Sequence, residues 1–480
     1  MVKVRYRHDA GGEMLKLTSH SSPRDCSGIS RRNFLQVGTL GMGALSLPWL
    51  FNQRSLLAQS QSAIHRRSVV LLFLSGGASH IETFNPNRDG PLPSRSATGE
   101  VQTTVPGLAF GGTFPQLAQH AGNMAVVRSF QHPIGGHVQA IVHVLTGGTD
   151  PSGSREGGFS IGSAYSRLRG PNHEQTGIPT YSLLNSEEVD PQYRSERKRV
   201  EGGSHAGSLG AAYAPFIPGS DGPATENMQL RIPQKRLHGR RGLLTDLDGL
   251  KRQSERIAEF GNVDEYTAQA FDVILGGAAE AFDLSKENPR LVNKYDTSHI
   301  EVGKKIFRPS QLGRNFLTAR RLIESGCGFV TIHSAGWDMH ADGNNPGIVS
   351  GMEMLGRSVD HAVAAFMDDL QQRGMLDDVL LVITGDFGRT PRINDRGGRD
   401  HWPRLCTLAF GGGGICSGQV IGQSTRENDA PATEPVTTGH VMSTVMHWLF
   451  DVGQLRLERG VPRELLSYLE QHDPISGLIT

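Results

Sequence analysis

The chain repeats one pattern: a short, wholly apolar run that stops abruptly in a glycine-rich loop. Val69-Val70-Leu71-Leu72-Phe73-Leu74 empties into Ser75-Gly76-Gly77-Ala78-Ser79-His80, Phe329-Val330-Thr331-Ile332 into His333-Ser334-Ala335-Gly336, and Leu380-Leu381-Val382-Ile383 into Thr384-Gly385-Asp386-Phe387-Gly388. Runs of this length, rich in β-branched residues and bounded by turn formers, predict buried strands. Residues 125–130 and 405–410 read as two more strands, the second leading into Gly411 to Gly414, a turn without the GK[ST] of a phosphate loop. Elsewhere the apolar spacing changes to three and four. Met352, Leu355, Val359, Val363, Phe366 and Leu370 predict an amphipathic helix feeding the strand at 380. Residues 311–325, 138–145 and 437–450 read as further helices. Strand, helix, strand is the rhythm of a parallel sheet with crossover helices.

Between 186 and 241 the pattern weakens, with a charged run from Arg194 to Arg199 and prolines at 215, 218, 223 and 233. An irregular cap or insertion is expected over 186–310, with helical spacing returning at 241–260 and 263–282. Those two helices carry no obvious reactive set and read as packing and cap elements with solvated charged faces.

The N-terminus changes the picture of where the protein works. Ser30-Arg31-Arg32-Asn33-Phe34-Leu35, a mildly apolar run over 37–51 and the small residues around Ala58-Gln59-Ser60 read as a twin-arginine export signal over 1–60, followed by a domain over 66–480. The expected destination is periplasmic or extracellular, and the expected first partner is the twin-arginine export machinery. The apolar run is shorter than the roughly 20 residues needed to span a bilayer, so no stable membrane span is expected. Lys+Arg 48 against Asp+Glu 48 leaves no net charge to favour nucleic acid. With Cys26 inside the signal, Cys327, Cys406 and Cys416 remain, without CxxC or CxxCH spacing, which excludes a disulfide framework and c-type haem attachment.

Candidate chemistry gathers at the strand ends. Asp386, Arg389, Asp400 and His401 lie within sixteen residues, and Asp338 and His340, one residue apart, follow the strand at 329. In an extended loop that spacing points both side chains the same way, so they could share one ion. His137 stands at the start of a helix that would face the same crevice, a position that favours anions. His80 and Glu82 are second-rank ligand candidates, and His143 reads as packing. The competing reading makes Asp386 a turn cap paired with Arg389, and the remaining acids and imidazoles solvated loop residues.

SGGASHIETFNP, HVLTGG, HSAGWDMH and GDFGRTPRINDRGGRDHW together resemble the uncharacterised, twin-arginine-exported domain-of-unknown-function family fifteen-oh-one, in the alkaline phosphatase/sulfatase-like superfamily. The resemblance implies an alkaline-phosphatase-like three-layer α/β fold with a central, mostly parallel sheet and helices on both faces. It also implies a metal-binding Asp at the end of the first strand, where this chain has Ser75 and Gly76, and an Asp followed by His or Asn where it has Asp386 and Phe387. The sulfatase nucleophile, a Cys nine residues before the Thr of LLTG, would fall at His137, and no Cys begins CxPxR, so a formylglycine sulfatase of the usual kind is not expected. The leading expectation is a metal-dependent hydrolase of sulfate or phosphate esters with a mononuclear site. Asp338, His340, Asp386 and His401 would hold a divalent metal, zinc or manganese ahead of calcium. His137 and Arg389 would be catalytic, Phe387 would point away, and the substrate would be a small-molecule or polysaccharide anionic ester. The alternative is a degenerate, non-catalytic member of the fold that binds an anionic ligand or partner outside the cytoplasm.

Overall fold

The structure, a computed structural model, describes residues 67–187, 189–218 and 278–479. The export signal, the helices expected at 241–260 and most of that expected at 263–282 lie outside the described residues.

Seven strands form the central sheet: β1 (Ser68–Leu74), β2 (Met124–Val127), β3 (Tyr181–Leu184), β4 (Phe329–Ser334), β5 (Val379–Gly385), β6 (Leu408–Gly412) and β7 (Gln419–Ile421), in the spatial order β7-β2-β6-β5-β1-β4-β3. β1 is central and pairs in parallel with β4 on one side and β5 on the other. β3 pairs in parallel with β4, and β7 with β2. Only β6 runs the other way, antiparallel to both β5 and β2. β3 and β7, short and interrupted by Ser182 and Gln419, do not stand out as apolar runs.

The side chains of β1 alternate between two cores, as the two-residue period of a strand requires. Val70, Leu72 and Leu74 join Val330, Ile332, Leu381 and Ile383 on one face, covered by α4 (Leu312–Glu324) and α5 (Arg357–Gln372) through Phe316, Leu322, Phe366 and Leu370. Val69, Leu71 and Phe73 join Phe329, Leu380 and Val382 on the other, covered by α1 (His137–Leu145), α2 (Ile161–Arg169) and α6 (Thr438–Leu449). The result is a three-layer α/β fold with a mostly parallel sheet. Burial on both faces is why these strands carry no polar alternation.

Two local expectations are corrected. The long helix expected at 352–370 is interrupted: Ile348–Gly351 is α-helical, Met352–Gly356 forms a π turn, and α5 follows. Within the region expected to be irregular, Pro191–Gly203 forms a helix, α3. Its start is written in the sequence, since Asp190 accepts from the amides of Gln192 and Tyr193 and Pro191 occupies the first turn, where its missing N–H costs nothing. Tyr193, Glu196, Val200 and Gly203 form its buried stripe, so the charged run was a helix with one acid turned inward.

Register places the site. Leu74 is level with Ser334 on one neighbour and Gly385 on the other, so three loops leave the sheet side by side at its carboxyl edge. Among the described residues no helix is long and apolar enough to cross a membrane.

Candidate metal centre

The loops after β1, β4 and β5 are pressed together closely enough to require a glycine. Gly76 has φ +100°, and a Cβ on it would sit 2.4 Å from the amide nitrogen of Asp338. Its own amide donates to both carboxylate oxygens of Asp386, at 3.0 and 3.1 Å. Arg389, fully buried, fastens the same loops: Nε donates to the Gly77 carbonyl (2.8 Å), Nη1 to the Arg399 carbonyl (3.0 Å), and Nη2 to the Gly76 carbonyl and Asp338 Oδ1, the last at 2.6 Å. The antiparallel bridge between Gly388-Arg389 and His401-Trp402 returns the chain to the crevice.

Asp338 is the centre of the constellation. Its Oδ1 is 2.9 Å from His340 Nε2 and 3.4 Å from His401 Nε2, and its Oδ2 is 3.3 Å from His137 Nε2. The two Nε2 atoms of His340 and His401 are 2.9 Å apart. Hydrogen bonds on the far side of each ring decide what these atoms present. His340 Nδ1 is 3.0 Å from Asp400 Oδ1, His401 Nδ1 is 3.0 Å from the Gly135 carbonyl, and His137 Nδ1 is 2.6 Å from Asp386 Oδ2. Carboxylates and carbonyls only accept, so each Nδ1 carries the proton and donates. In the neutral rings each Nε2 is therefore a lone pair. His137 Nε2 is buried and has no hydrogen-bond partner among the described residues, with Asp338 Oδ2 3.3 Å away.

The Arg389 guanidinium donates to Asp338 Oδ1 at 2.6 Å and to His340 Nε2 at 3.4 Å, but the His401 Nε2 lone pair still faces both atoms within 3.4 Å, which is repulsive unless a further proton or cation lies between them. Ligand atoms of a four-coordinate ion with bonds of about 2.0–2.2 Å are roughly 3.3–3.6 Å apart, close to the observed spacing. His137, Asp338 and His401 likewise offer atoms within 4.8 Å of one another. The remaining ring N–H of each histidine bound to an oxygen is the usual support of a metal-binding imidazole. The donor set therefore fits a divalent ion that accepts mixed nitrogen and oxygen ligands.

Electrostatics separate His137 from the other rings. Burial opposes ionisation of Asp338, but His137, His340, His401 and Arg389 together hold its carboxyl well below the usual range. Burial also opposes a charge on His137, yet Asp338 and Asp386 on either side raise it to about 9. Burial lowers His401, keeping that ring neutral.

Of the residues singled out from sequence, His137, Asp338, His340, Asp386, Arg389 and His401 all come together. Asp386, expected beside the other ligands, is fully buried and turned to His137 and the Gly76 amide. Arg389, expected to meet an anionic ester, is spent on carbonyls, Asp338 and His340 Nε2, because the loop crossing needs its fork. Phe387 does not turn away: its ring lies 4.8 Å from His137 and 4.5 Å from His401, centroid to centroid. Glu82 is held elsewhere by a buried ion pair with Arg399 (2.9 Å). His80, pushed down to about 4 by burial, rests on the Asn428 carbonyl. His143 packs between the Asp150 carbonyl and Thr438. His132 was missed; it donates from Nε2 to the Asp386 carbonyl at 2.6 Å and gives no signal in sequence beyond its nearness to Gly135-Gly136-His137.

Several solved structures share parts of this architecture. One, from work on the metabolism of multiple glycosaminoglycans by Bacteroides thetaiotaomicron, is 11% identical, covering 85% of this chain and 76% of that one at a TM-score of 0.38. A sulfatase from Pseudoalteromonas sp. is 11% identical over 78% and 69% (TM-score 0.31), and the alkaline phosphatase of the Antarctic bacterium TAB5 is 12% identical over 76% and 95% (TM-score 0.31). These likenesses are weak, and the chemistry rests on the site's own geometry. Comparison with curated proteins gives no match. The family model of a protein of unknown function, DUF1501, matches residues 66–456, which span all the loops that build the centre, and the chain belongs to that family.

Proposed function

We propose that the chain is an exported, metal-dependent hydrolase of sulfate or phosphate esters with a mononuclear site. The observation that carries this reading is the convergence of the Nε2 atoms of His340 and His401 on Asp338 Oδ1, with every second nitrogen already committed as a donor. Asp338, His340 and His401 would hold zinc or manganese, with His137 beside them. When bound, the ion supplies a Lewis acid for an ester oxygen and for water. His137 Nε2 is placed to hold or pass a proton at the face of Asp338, and Asp386 fixes its tautomer. Arg389 is reassigned from the ester to the scaffold, where it balances Asp338. Asp386 is reassigned from ligand to orienter of His137.

Manganese and zinc content of the mature protein, folded with metal supplied, tests the centre. Turnover of aryl sulfates, phosphomonoesters and phosphodiesters, abolished by Asp338→Asn, tests the reaction. A protein that takes up neither ion and gains no thermal stability from either refutes the reading.

A binding protein that has lost its reaction is the second reading. What favours it is the burial of Ser75 and the full occupation of Arg389, which leave neither to act on an ester. Metal uptake at wild-type affinity with no turnover on any ester class would decide for it. Export is proposed from Arg31 and Arg32: with both replaced by Lys the folded protein should remain in the cytoplasm, and unchanged export removes that part.

A further inference from the structure

A buried carboxyl stands beneath the candidate metal centre with no ion-pair partner among the described residues. Glu196, on α3, is completely buried; its Oε2 accepts from the Gly336 amide at 2.7 Å and from the Ser75 hydroxyl at 2.8 Å, and its Oε1 accepts from Gln192 at 2.8 Å. Ser75 opens the loop after β1, and Gly336 lies two residues before Asp338 in the loop after β4. One carboxylate oxygen therefore joins the two loops whose contact, Gly76 against Asp338, defines the site.

The hydrogen bonds around it have a single consistent direction. With its proton given to Glu196, Ser75 Oγ accepts at 2.6 Å from His333 Nε2. His333, fully buried and pushed down to about 3 by burial, is neutral, so its Nδ1 accepts from Ser186, 3.4 Å away. The order Ser186, His333, Ser75, Glu196 runs from donor to acceptor and ends at the charge. Tyr193, one turn before Glu196, closes the arrangement: a Cβ on Gly336, at φ +95°, would meet its hydroxyl oxygen at 2.5 Å. α3 belongs to the region outside the strand-helix repeat, so the tie runs from the insertion into the centre.

We infer that Glu196 is a positioning residue which holds the Ser75-Gly76 and Gly336–Asp338 loops in the arrangement that lets Asp338, His340 and His401 receive one ion. This rests on the metal reading proposed above. Glu196→Gln keeps the volume but removes the charge: its one oxygen can still meet the Gly336 amide and the Ser75 hydroxyl, only as a weaker, neutral acceptor, and its NH2 replaces the oxygen that accepts from Gln192.

The test uses the full mature protein at pH 8, with Mn2+ affinity measured by competition against a chelator and the melting temperature measured without metal. Glu196→Gln should lower Mn2+ affinity roughly tenfold, as removal of a group that orients metal-binding side chains does, while the melting temperature stays within a few degrees. Wild-type affinity in Glu196→Gln overturns the inference whatever its melting temperature. If the unaltered protein binds neither Mn2+ nor Zn2+, the metal reading fails instead, and hydrogen exchange in the metal-free proteins decides the positioning role. Faster exchange in Glu196→Gln confined to peptides over 75–77 and 336–340 supports it, and unchanged exchange there overturns it.

Discussion

His137 Nδ1 lies 2.6 Å from Asp386 Oδ2, and the opposite nitrogen of the same ring faces Asp338. One imidazole thus separates the two carboxylates that the sequence suggested as joint ligands, leaving Asp338 to face the proposed ion and Asp386 to support His137. Asp386→Asn should accordingly reduce Mn2+ affinity by roughly tenfold at most, whereas Asp338→Ala should remove binding altogether. Equal and complete loss in both variants, measured by chelator competition, would make Asp386 a direct ligand.

The closeness of Gly76 to Asp338 makes a second prediction. Alanine there must adopt φ +100° and overlap the Asp338 amide, and strained backbone of this kind costs on the order of 1–3 kcal/mol before the clash is counted. Gly76→Ala should therefore lose at least about 2 kcal/mol in urea unfolding and lose metal uptake. Gly99, equally left-handed with open space where a Cβ would stand, should lose less on the same change. Equal losses at both positions would mean that loop contact contributes nothing.

Glu82 and Arg399 are both fully buried and paired at 2.9 Å. Removing one partner leaves an uncompensated charge, so Arg399→Met should destabilise the fold by roughly 3–5 kcal/mol. Adding Glu82→Gln should recover part of that loss. A single variant within 1 kcal/mol of the parent, by the usual precision of denaturant unfolding, would show that water reaches the pair.

Stability should also carry the mark of Glu196. Burial, with Asp386 nearby adding to it, raises its carboxyl from 4.5 to about 7. The native state then binds a proton that the unfolded chain has released, so the stability linked to this group is full below pH 4.5 and lost as pH rises through 7. One pKa unit is worth about 1.4 kcal/mol, which makes the change on the order of 3 kcal/mol. The groups facing the carboxyl are the Gly336 amide, Ser75 and Gln192, none of which titrates in that window. Subtracting the Glu196→Gln profile from the parent's, both metal-free, should reveal this fall. A flat difference between pH 4.5 and 7 contradicts it.

Much of the architecture was legible because it is local. An apolar run such as 69–74 has few options besides a strand buried on both faces, and the glycine-rich ending that follows it must turn. Helices α1, α4 and α6 were visible in the same way, through spacing and the glycines that bound them. The candidate residues were legible for a related reason: Asp338 with His340, and Asp386 with His401, each stand just past a strand end, where a parallel sheet gathers its loops. β3, β7 and α2 were not visible: Tyr181–Leu184 and Gln419–Ile421 mix polar with apolar residues, unlike the equally short but wholly apolar β2, and α2 mixes small and charged residues.

Sequence alone determined the apolar strands β1, β2, β4, β5 and β6, most of the covering helices and the reactive side chains at the strand ends, because backbone preference and apolar periodicity act within a few residues. Only tertiary structure decided roles. Register across β4, β1 and β5 brought three distant loops together, and which atoms then faced one another was settled by packing. That is why Arg389 became a clamp, Asp386 a support for His137, and Phe387 a wall beside the imidazoles. It is also why Glu196, one acid in the charged run 194–199, lies beneath the centre: the direction a helix turns a side chain is fixed by what the helix packs against, here the edge where Ser75 and Gly336 meet.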